Sequence, residues 1–444
     1  MILQALCDYY ERKLAFEPGS LPPVGYESNA ISFVVVIDEE GRYVNLDDWR
    51  TGEGRRLHGK PVFVPQGKDR PGVKAWETAF LLWDHPRYVF GPIMPGSDPL
   101  AAKRFEQFKK KVYEIFPDTA LDIGVHAVAR FLGNPPWEKI QLHPLWKEIE
   151  VSTGNVSFKL ASERGLICQS KTAQEVVASE FENDKGIGVG YCLVSGELGA
   201  IERLHPATPV QGSQSTAKIH SFNLPAFISF GKEQGANAPV GKRVTFAYTT
   251  ALNYLLSKES TQRIQVGDAS TVFWSEKHTA LEDSFADLFD EPPKDDPAKQ
   301  TRAIEALFKA PQTGALSDEG GKTRFYVLGL APNAARISVR FWQVGTVAEI
   351  SARIRQHFED LEIVHASYEK PYLSLFRLLV ATATQGKSEN IPPNLAGEFM
   401  RAVLAGLPYP QTLLQAAVRR IRAEREVTYP RAALIKACLN RQAR

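Results

Sequence analysis

The sequence predicts an α+β protein, with a mixed strand-rich N-terminal and central region followed by an all-helical C-terminal part. β-Branched runs bounded by polar residues recur up to about residue 345, and SFVVVID (32–38) is the first of them. Beyond that point strand patterns stop, and apolar residues recur at helical spacing in successive segments. A chain of 444 residues with 43% hydrophobic and 23% charged residues is long enough for two or three globular domains.

The first 150 residues predict an N-terminal α+β domain. MILQALCDYYERKLAF reads as an amphipathic helix rather than a signal peptide, because acids interrupt it and no small-residue cleavage site follows. Residues 32–38 and 61–65 (PVFVP) have strand composition. Residues 99–116 carry apolar positions at helical spacing and predict a helix.

Residues 151–345 predict a central α+β region that binds nucleic acid. Strand patterns are NVSFKL (155–160), GIGVGYCLVSG (186–196), KIHSF (218–222), TVFWSE (271–276), RFYVLGL (324–330) and RISVRFW (336–342). Helical patterns are TFAYTTALNYLL (245–256) and DSFADLF (283–289). The acidic, proline-containing DEPPKDDPAKQ (290–300) predicts an exposed linker.

Residues 346–444 predict a C-terminal helical region. Its helical segments are TVAEISARIRQHFEDL, SLFRLLVATAT, LAGEFMRAVLAGL, QTLLQAAVRRIRAE and RAALIKACLNR. Short breaks separate these segments, and we find no internal repeat.

Composition narrows the class of protein. No run of eighteen apolar residues occurs, so we expect no membrane-spanning helix and no membrane partner. Four scattered cysteines without a CxxC pair indicate a reducing compartment, and we expect a cytoplasmic protein. A net charge of +2 does not by itself indicate a nucleic-acid binder, so the local distribution of charge must decide.

Three segments are locally basic. Residues 55–74 contain six Lys or Arg against one acid, and residues 401–444 contain nine against two. Residues 321–348 contain four cations and no acid, and there SVRFW alternates arginine with aromatic residues, which suits phosphate contact and base stacking. The alternative, that each segment is a solvated charged face, stays open.

Two loops concentrate amide side chains, small residues and cations. SFGKEQGANAPVGKR (229–243) offers glycines for close backbone approach and amides that can read a base edge. QGSQSTAKIHSFN (211–223) has the same character, and a surface turn is the competing interpretation of both loops. The DNA-contact candidates, for reading a short motif or holding a strand, are Gln214, Lys218, Asn223, Lys232, Gln234, Asn237, Lys242, Arg243, Asn333, Arg336 and Arg340. The secondary phosphate-contact candidates are Lys68, Arg70 and Lys74.

Catalytic motifs are weak, and we expect neither a catalytic residue nor a metal or other cofactor. Cys192, His205 and His220 lack the paired spacing of a zinc site, and a buried structural role is expected for Cys192. GIGVG (186–190) lacks the following helix of a dinucleotide fingerprint. No GxSxG, HExxH or Walker motif occurs.

Nine segments in order resemble the large subunit of the type I-C CRISPR Cascade complex. They are MILQALCDYYER, LPPVGYESNAISFVVVIDEEGRYV, LLWDHPRYVFG, YCLVSGELGAIERLHP, SFNLPAFISFGKEQGANAPV, TFAYTTALNYLL, TVFWSEK, VLGLAPNAARISVRFW and YPRAALIKACLNR. The resemblance extends from Met1 to the last residues. Family members usually continue for a further helical stretch, so two alternatives stay open: a truncated chain, or a small subunit supplied as a separate protein.

This resemblance implies a non-catalytic subunit of an RNA-guided DNA surveillance complex that serves antiviral defence. Such a subunit recognises the protospacer-adjacent motif (PAM) in duplex DNA, assists strand opening, stabilises the R-loop and supports recruitment of a helicase–nuclease. The implied partners are the 5′ handle of the CRISPR RNA, the target duplex, and the handle-binding, backbone and small subunits. A DNA-mimicking anti-CRISPR inhibitor would fit the same surface. The residue-level candidates above come from residue chemistry and not from the resemblance.

Two other classes of function stay open. A CRISPR RNA-processing endonuclease would need a general acid–base pair near the RNA 2′-OH, and Lys218 and His220 are the nearest candidates. A purely structural assembly subunit would contact RNA and other proteins without reading DNA. The segment QGKDRPGVKAWETAFLLWD also differs from the shorter glycine-centred loop common in the family, which bears on Lys68, Arg70 and Lys74.

Overall fold

The chain forms two compact units, each with its own sheet. The computed structural model describes residues 1–53, 57–70, 72–96, 99–184, 186–313, 321–333, 336–392 and 394–443. Residues 22–190 and 198–201 make up the six-stranded unit. Residues 1–21, 191–197 and 202–444 make up the four-stranded unit. The domain boundaries expected at 150 and 345 stay predictions.

The secondary structure confirms the α+β class. The strands are β1 (Tyr26–Ile37), β2 (Tyr43–Asp48), β3 (Arg50–Thr51), β4 (His58–Pro65), β5 (Trp83–Asp84), β6 (Asn155–Leu160), β7 (Val189–Tyr191), β8 (Leu198–Ala200), β9 (Arg263–Val266), β10 (Ala269–Ser275), β11 (Arg324–Asn333) and β12 (Arg336–Thr346). In the described part of the chain the last strand ends at Thr346, and helices follow it, as the sequence predicts.

The helices occupy both units. They are α1 (Ile2–Phe16), α2 (Pro86–Val89), α3 (Ala101–Ile115), α4 (Ile123–Gly133), α5 (Trp137–Gln141), α6 (Trp146–Val151), α7 (Lys171–Asn183), α8 (Lys242–Leu255), α9 (Ala280–Phe289), α10 (Lys299–Thr313), α11 (Val347–Leu361), α12 (Leu375–Thr382), α13 (Leu395–Ala405), α14 (Gln411–Glu424) and α15 (Tyr429–Gln442). Among the described residues, no helix has both the length and the apolar character needed to cross a membrane.

The six-stranded sheet is built around β1, whose apolar run explains its central place. The first half of β1 pairs antiparallel with β4, and its second half pairs with β2 on one side and in parallel with β6 on the other. The strand order is β3-β4-β1-β6-β5. Residues 31–37 of β1 are all buried, as expected for a strand covered on both faces.

The four-stranded sheet is antiparallel, in the order β12-β11-β10-β9. Every residue of β10 is buried, and most of β11 is buried. The edge strand β12 carries exposed residues along its length, including Val339 and Val344. The C-terminal helices belong to the same hydrophobic core as β9, β10 and β11.

Local sequence signals explain where the helices begin. Thr346 and Glu349 form a capping box at the start of α11, with each side chain accepting a hydrogen bond from the other residue's backbone N–H. Thr279 caps α9 and Ser374 caps α12. In each case the side chain accepts a hydrogen bond from a backbone N–H of the first turn. The helices predicted after residue 345 all form.

Two predicted strands do not form as the sequence suggests. Only Val189–Tyr191 of the segment 186–196 is a strand, because Gly186 and Gly188 adopt positive φ and the apolar side chains around them are exposed. In 218–222, Lys218 makes one isolated bridge, and the backbone beyond it joins no sheet. Here His220 and Phe222 pack against other aromatic rings instead.

The first helix is joined to α9 by a buried ion pair, which hydrogen bonds connect to strand β10. Two guanidinium nitrogens of Arg12 donate to the carboxylate of Glu282, at 2.8 and 2.7 Å. Gln262 donates to the same carboxylate at 2.6 Å and accepts from the Tyr9 hydroxyl. The backbone and hydroxyl of Ser275 in β10 also donate to Glu282. Every carboxylate oxygen therefore has partners, although Glu282 is only 4% exposed.

Burial raises the pKa of Glu282, but the hydrogen bonds and charge of Arg12 and the donors of Ser275 outweigh it. The net result is a pKa below the ordinary value of 4.5. A carboxylate with a lowered pKa stabilises the folded state above its unfolded-state pKa, and this stabilisation is lost as the pH falls through the folded-state pKa.

We predict that Glu282→Gln lowers the free energy of unfolding by about 3 kcal/mol at pH 7, because it leaves the Arg12 charge buried and unpaired. The deficit relative to the wild type should shrink as the pH falls below about 4.5, because the unfolded wild-type chain is protonated there before the folded one. It should be smallest below the lowered folded-state pKa of Glu282. Urea unfolding at pH 7 and at lower pH measures both effects. Glu114→Gln is the control, because it removes one member of the exposed Lys110–Glu114 pair and should cost less than about 1 kcal/mol. Equal losses in the two variants would contradict the prediction.

Candidate nucleic-acid interface

The two amide-rich loops and the end of the β11–β12 hairpin lie together in the four-stranded unit. We call residues 211–243 with 332, 333 and 336 the loop surface. Lys218 forms a parallel bridge with Arg336, and Arg336 pairs with Asn333 across the hairpin. Gly212 lies against Pro332, since a Cβ on Gly212 would be 3.5 Å from Pro332 Cγ. Three of the predicted DNA-contact residues are therefore neighbours.

A row of rings in edge-to-face and stacked contact continues from Arg336 into the protein. The Arg336 guanidinium lies 4.7 Å from the Phe227 ring centroid. Phe227, Phe222, His220 and His205 follow one another, with ring centroids 5.9, 5.0 and 4.0 Å apart. The Nδ1 atom of His205 is hydrogen-bonded to the hydroxyl of Tyr248 in α8. We call these four rings the aromatic row. The row connects the exposed Arg336 to the buried side of α8, and the segments that carry its rings are neither α-helix nor sheet.

The histidines of the aromatic row are uncharged at neutral pH. Burial lowers the pKa of His205 to about 3, and the neighbouring His220 and Lys218 contribute to this shift. Burial also lowers the pKa of His220, against the effect of the backbone at Ala238. The positive charge on this part of the loop surface therefore comes from Lys218 and Arg336, while the two imidazoles serve as packed rings.

Gln234 and Asn237 use their amides within the loop. They begin and end a short 3₁₀ helix, and Asn237 Nδ2 donates to the Gln234 carbonyl at 3.1 Å. Gln234 Oε1 accepts from Arg203 Nη1 at 3.0 Å. Gly235 packs so closely that an added Cβ would lie 2.2 Å from the Glu202 carbonyl oxygen. These contacts give the loop a fixed shape, and contact of Gln234 or Asn237 with DNA stays a prediction.

Other predicted residues of the loop surface face solvent. Gln214, Asn223 and Lys232 are exposed. Gln214 and Asn223 thus carry amides that are accessible to a nucleic acid, and Lys232 carries an accessible cation. Their contact with DNA also stays a prediction.

Phe230 is a feature that the sequence analysis did not single out. Phe230 is 100% exposed, and Leu224 and Ile228, which are close in sequence, are each 49% exposed. Phe230 and Gly231 have φ of 51° and 70°, and Lys232 N donates to the Ser229 carbonyl across them at 2.9 Å. Two consecutive positive φ values are what a type I′ turn requires, and a bulky residue in this conformation is strained by about 1–3 kcal/mol.

The remaining predicted cations of this unit have protein neighbours. Lys242 is buried at the first position of α8. Arg243 is exposed and lies 3.6 Å from a carboxylate oxygen of Glu11. Arg340 donates to Asp268 at 2.6 Å. Their role in phosphate contact stays a prediction.

The secondary candidates lie in the six-stranded unit. Lys68 and Lys74 are exposed, whereas the guanidinium of Arg70 turns inward to the buried carboxylate of Asp84. Arg55 and Arg56 of the same basic segment lie outside the described residues. None of these placements tests phosphate binding.

Cys192, His205 and His220, the weak candidates for metal or nucleophile chemistry, all lie in the four-stranded unit. Cys192 is buried, and its Sγ accepts from the backbone N–H groups of Val194 and Ser195. Within the described ranges, no group of three His, Cys, Asp or Glu side chains is placed to hold a metal ion.

Comparison with known families identifies the chain. The model of the CRISPR-associated protein (Cas_Csd1) family matches residues 6–444. The chain belongs to this family. The resemblance to the large subunit of the type I-C Cascade is thereby confirmed, because this family is that of the large subunit. Membership of this family implies association with other Cascade components and with CRISPR RNA, in antiviral defence. No curated protein matches the chain.

We predict that Gly235→Ala disrupts the loop between Ser229 and Gly241. The added Cβ meets a backbone oxygen that cannot move freely, so we expect a loss of about 1–3 kcal/mol of local stability. Trypsin cleavage after Lys232 should become faster, which mass spectrometry of a digestion time course measures.

Gly397→Ala in α13 is the matched control, because its Cβ would be 3.6 Å from the nearest atom. Equal cleavage rates after Lys232 in the two variants would show that the close approach of Gly235 does not hold the loop.

Proposed function

We propose that the chain is a non-catalytic large subunit of an RNA-guided type I-C complex, and that its loop surface reads the PAM in duplex DNA. The observation that carries the proposal is the exposed, strained Phe230 turn. It belongs to the same loop surface as the exposed amides and the Lys218–Arg336 pair, and it follows Phe227, whose ring lies under the Arg336 guanidinium. In a guided complex base pairing reads the long target, so the protein needs only a small surface for a short motif. The size and chemistry of the loop surface suit that task.

The polar residues of the loop surface divide between positioning and reading. Lys218 and Arg336 hold phosphates and set the register of the duplex. Gln214 and Asn223 are exposed amides, which pair donor and acceptor with an adenine edge in the major groove or meet acceptors in the minor groove. Gln234 and Asn237 act within the loop, where their hydrogen bonds fix its shape.

Phe230 opens the duplex next to the motif. Apolar side chains inserted at a base step unstack the bases and kink the duplex. A fully exposed phenyl ring at the tip of a tight turn can enter a base step without movement of the rest of the loop. The backbone strain at Phe230 supports a functional role, since such strain concentrates at functional sites.

The later steps follow from the large-subunit role. The subunit assists strand opening, holds the displaced strand in the R-loop and supports recruitment of the helicase–nuclease. Phosphate contacts for the strand come from the basic segments, including the C-terminal helices. The handle-binding, backbone and small subunits and the 5′ handle of the CRISPR RNA are its partners in the complex.

Competing functions give different results in simple assays. An RNA-processing endonuclease would cleave guide RNA as a purified chain, and substitution of His220 would abolish the cleavage. A purely structural subunit would leave motif discrimination unchanged when the loop surface is altered. Guide-RNA cleavage by the wild type and the His220 variant tests the first alternative, and motif discrimination by the loop-surface variants tests the second.

We predict that Gln214→Ala with Asn223→Ala lowers PAM discrimination in the assembled guide complex. Each lost amide–base contact is worth about 1–3 kcal/mol, so loss of both should lower the ratio of Kd for a PAM-scrambled duplex to Kd for a PAM-bearing duplex about 30-fold or more. Phe230→Ala should keep this ratio for initial binding and slow R-loop formation. A duplex already melted beside the motif should restore the rate for Phe230→Ala.

The control is Asn134→Ala with Gln141→Ala, which removes two exposed amides outside the loop surface and the basic segments. All measurements use one salt concentration, because phosphate contacts make every affinity salt-dependent. An unchanged Kd ratio in the Gln214 and Asn223 variant, with normal complex assembly, would reject the loop surface as the PAM reader.

A further inference from the structure

A cavity lined with aromatic rings opens at the C-terminal end of α11 in the four-stranded unit. Its volume is about 850 Å³, which lies within the range of natural small-molecule sites. Helices α10, α11 and α15 and the chain that follows α11 contribute to its lining. The lining residues that carry rings are Phe308, Phe358, His365, Tyr372 and Tyr429.

The rings of the cavity hold one another in place. The Tyr372 ring stacks on that of Phe308, with centroids 6.4 Å apart, and meets that of Phe358 edge-on at 5.7 Å. The rings of His365 and Tyr429 lie 5.1 Å apart. Both tyrosines are half-buried, so part of each ring stays accessible to a ligand. Walls of this kind suit a methylene chain, and their π faces attract a cation.

Two carboxylates at the cavity have no partner in the protein. Glu359 and Glu362 line the cavity and are exposed. Neither carboxylate makes a hydrogen bond or an ion pair with another residue in the part of the chain that the structure describes. Both are therefore available to a ligand that carries positive charge.

The electrostatic field at the rings is negative. Burial raises the pKa of Tyr372, and the charges of Glu305 and Glu362 raise it further. Burial also raises the pKa of Tyr429, and the charge of Glu369 acts in the same direction. In both cases the charges that add to the effect of burial belong to acids. A cationic ligand would be favoured here, and a phosphate would be repelled.

Lys436 shows that this wall accepts an ammonium group. Its Nζ donates to the Glu359 carbonyl at 3.4 Å and to the Glu362 carbonyl, at the end of α11. Carbonyls at the C-terminus of a helix carry partial negative charge, which favours a cation. Because Lys436 uses backbone carbonyls, the carboxylates of Glu359 and Glu362 stay free for further ammonium groups.

We propose that this cavity, the amine pocket, binds a polyamine, in which methylene chains join two or more ammonium groups. Ammonium groups donate charge-assisted hydrogen bonds to carboxylates, and they also lie over the faces of tyrosine rings. The methylene chain packs against the rings and against the buried Leu373 of the lining. Glu359 and Glu362 bind the ammonium groups, and Tyr372 and Tyr429 contact the chain between them.

This proposal does not rest on the proposed function. The amine pocket and the loop surface share no residue. Variants of Gln214, Asn223 and Phe230 should therefore leave polyamine binding unchanged. Failure of PAM discrimination and failure of polyamine binding are separate results.

Isothermal titration calorimetry of the full chain with spermidine tests the amine pocket. Spermidine should bind, whereas octanediol, an uncharged chain of the same length, should not. Glu359→Gln with Glu362→Gln keeps the side-chain shapes and removes both charges, so the affinity for spermidine should fall about tenfold or more. Tyr372→Leu should lower it about threefold, because the π face is lost, and Tyr372→Phe should keep it.

The matched control is Glu259→Gln with Glu398→Gln, which removes two exposed glutamates of the same unit that do not line the cavity. Nα-acetyl-lysine amide, which offers the single ammonium group of a protein lysine, should bind more weakly than spermidine. The proposal is overturned if spermidine does not bind, if octanediol or the lysine amide binds as tightly, or if the two double glutamine variants lose affinity equally.

Discussion

The buried ion pair between Arg12 and Glu282 is the interaction on which the candidate interface depends. It joins α1 to α9, and no oxygen of the Glu282 carboxylate lacks a donor. Helix α1 in turn supports α8: Cys7 Sγ donates to the Val244 carbonyl, and the Tyr10 ring meets Phe246 edge-on. Helix α8 begins where the loop surface ends. The position of the loop surface thus depends on the Arg12–Glu282 ion pair through α1 and α8.

The loop surface owes its shape to side chains rather than to a sheet. The aromatic row, the Arg203–Gln234 hydrogen bond and the close packing of Gly235 replace the ladder bonds that a strand would supply. Buried backbone groups need partners, and the short 3₁₀ helix and the Ser229–Lys232 turn supply several of them. Since the two histidines in the row are neutral, burial of the row carries no cost of an unpaired charge. A surface built in this way can present amides and an exposed ring in fixed positions.

Local sequence patterns predicted most helices and strands. They could not predict contacts between residues that are far apart in the sequence. NVSFKL forms β6 as predicted, and the helix expected at 245–256 begins three residues earlier, at Lys242. No local signal shows that α1 packs on α8, because the contact between Cys7 and Val244 spans 237 residues. Composition could not show that Gln234 and Asn237 turn into the loop while Gln214 and Asn223 stay exposed. The inward turn of Arg70 depends on Asp84, whose partner the sequence does not identify.

Photocrosslinking at position 230 tests the central claim most directly. Benzoylphenylalanine in place of Phe230 keeps an aromatic side chain at the tip of the turn, and the assembled guide complex is irradiated with a PAM-bearing or a PAM-scrambled duplex. The account predicts crosslinks to the bases that border the motif, and their loss when the motif is scrambled. Crosslinks only to neighbouring subunits, or equal crosslinks to both duplexes, would contradict it.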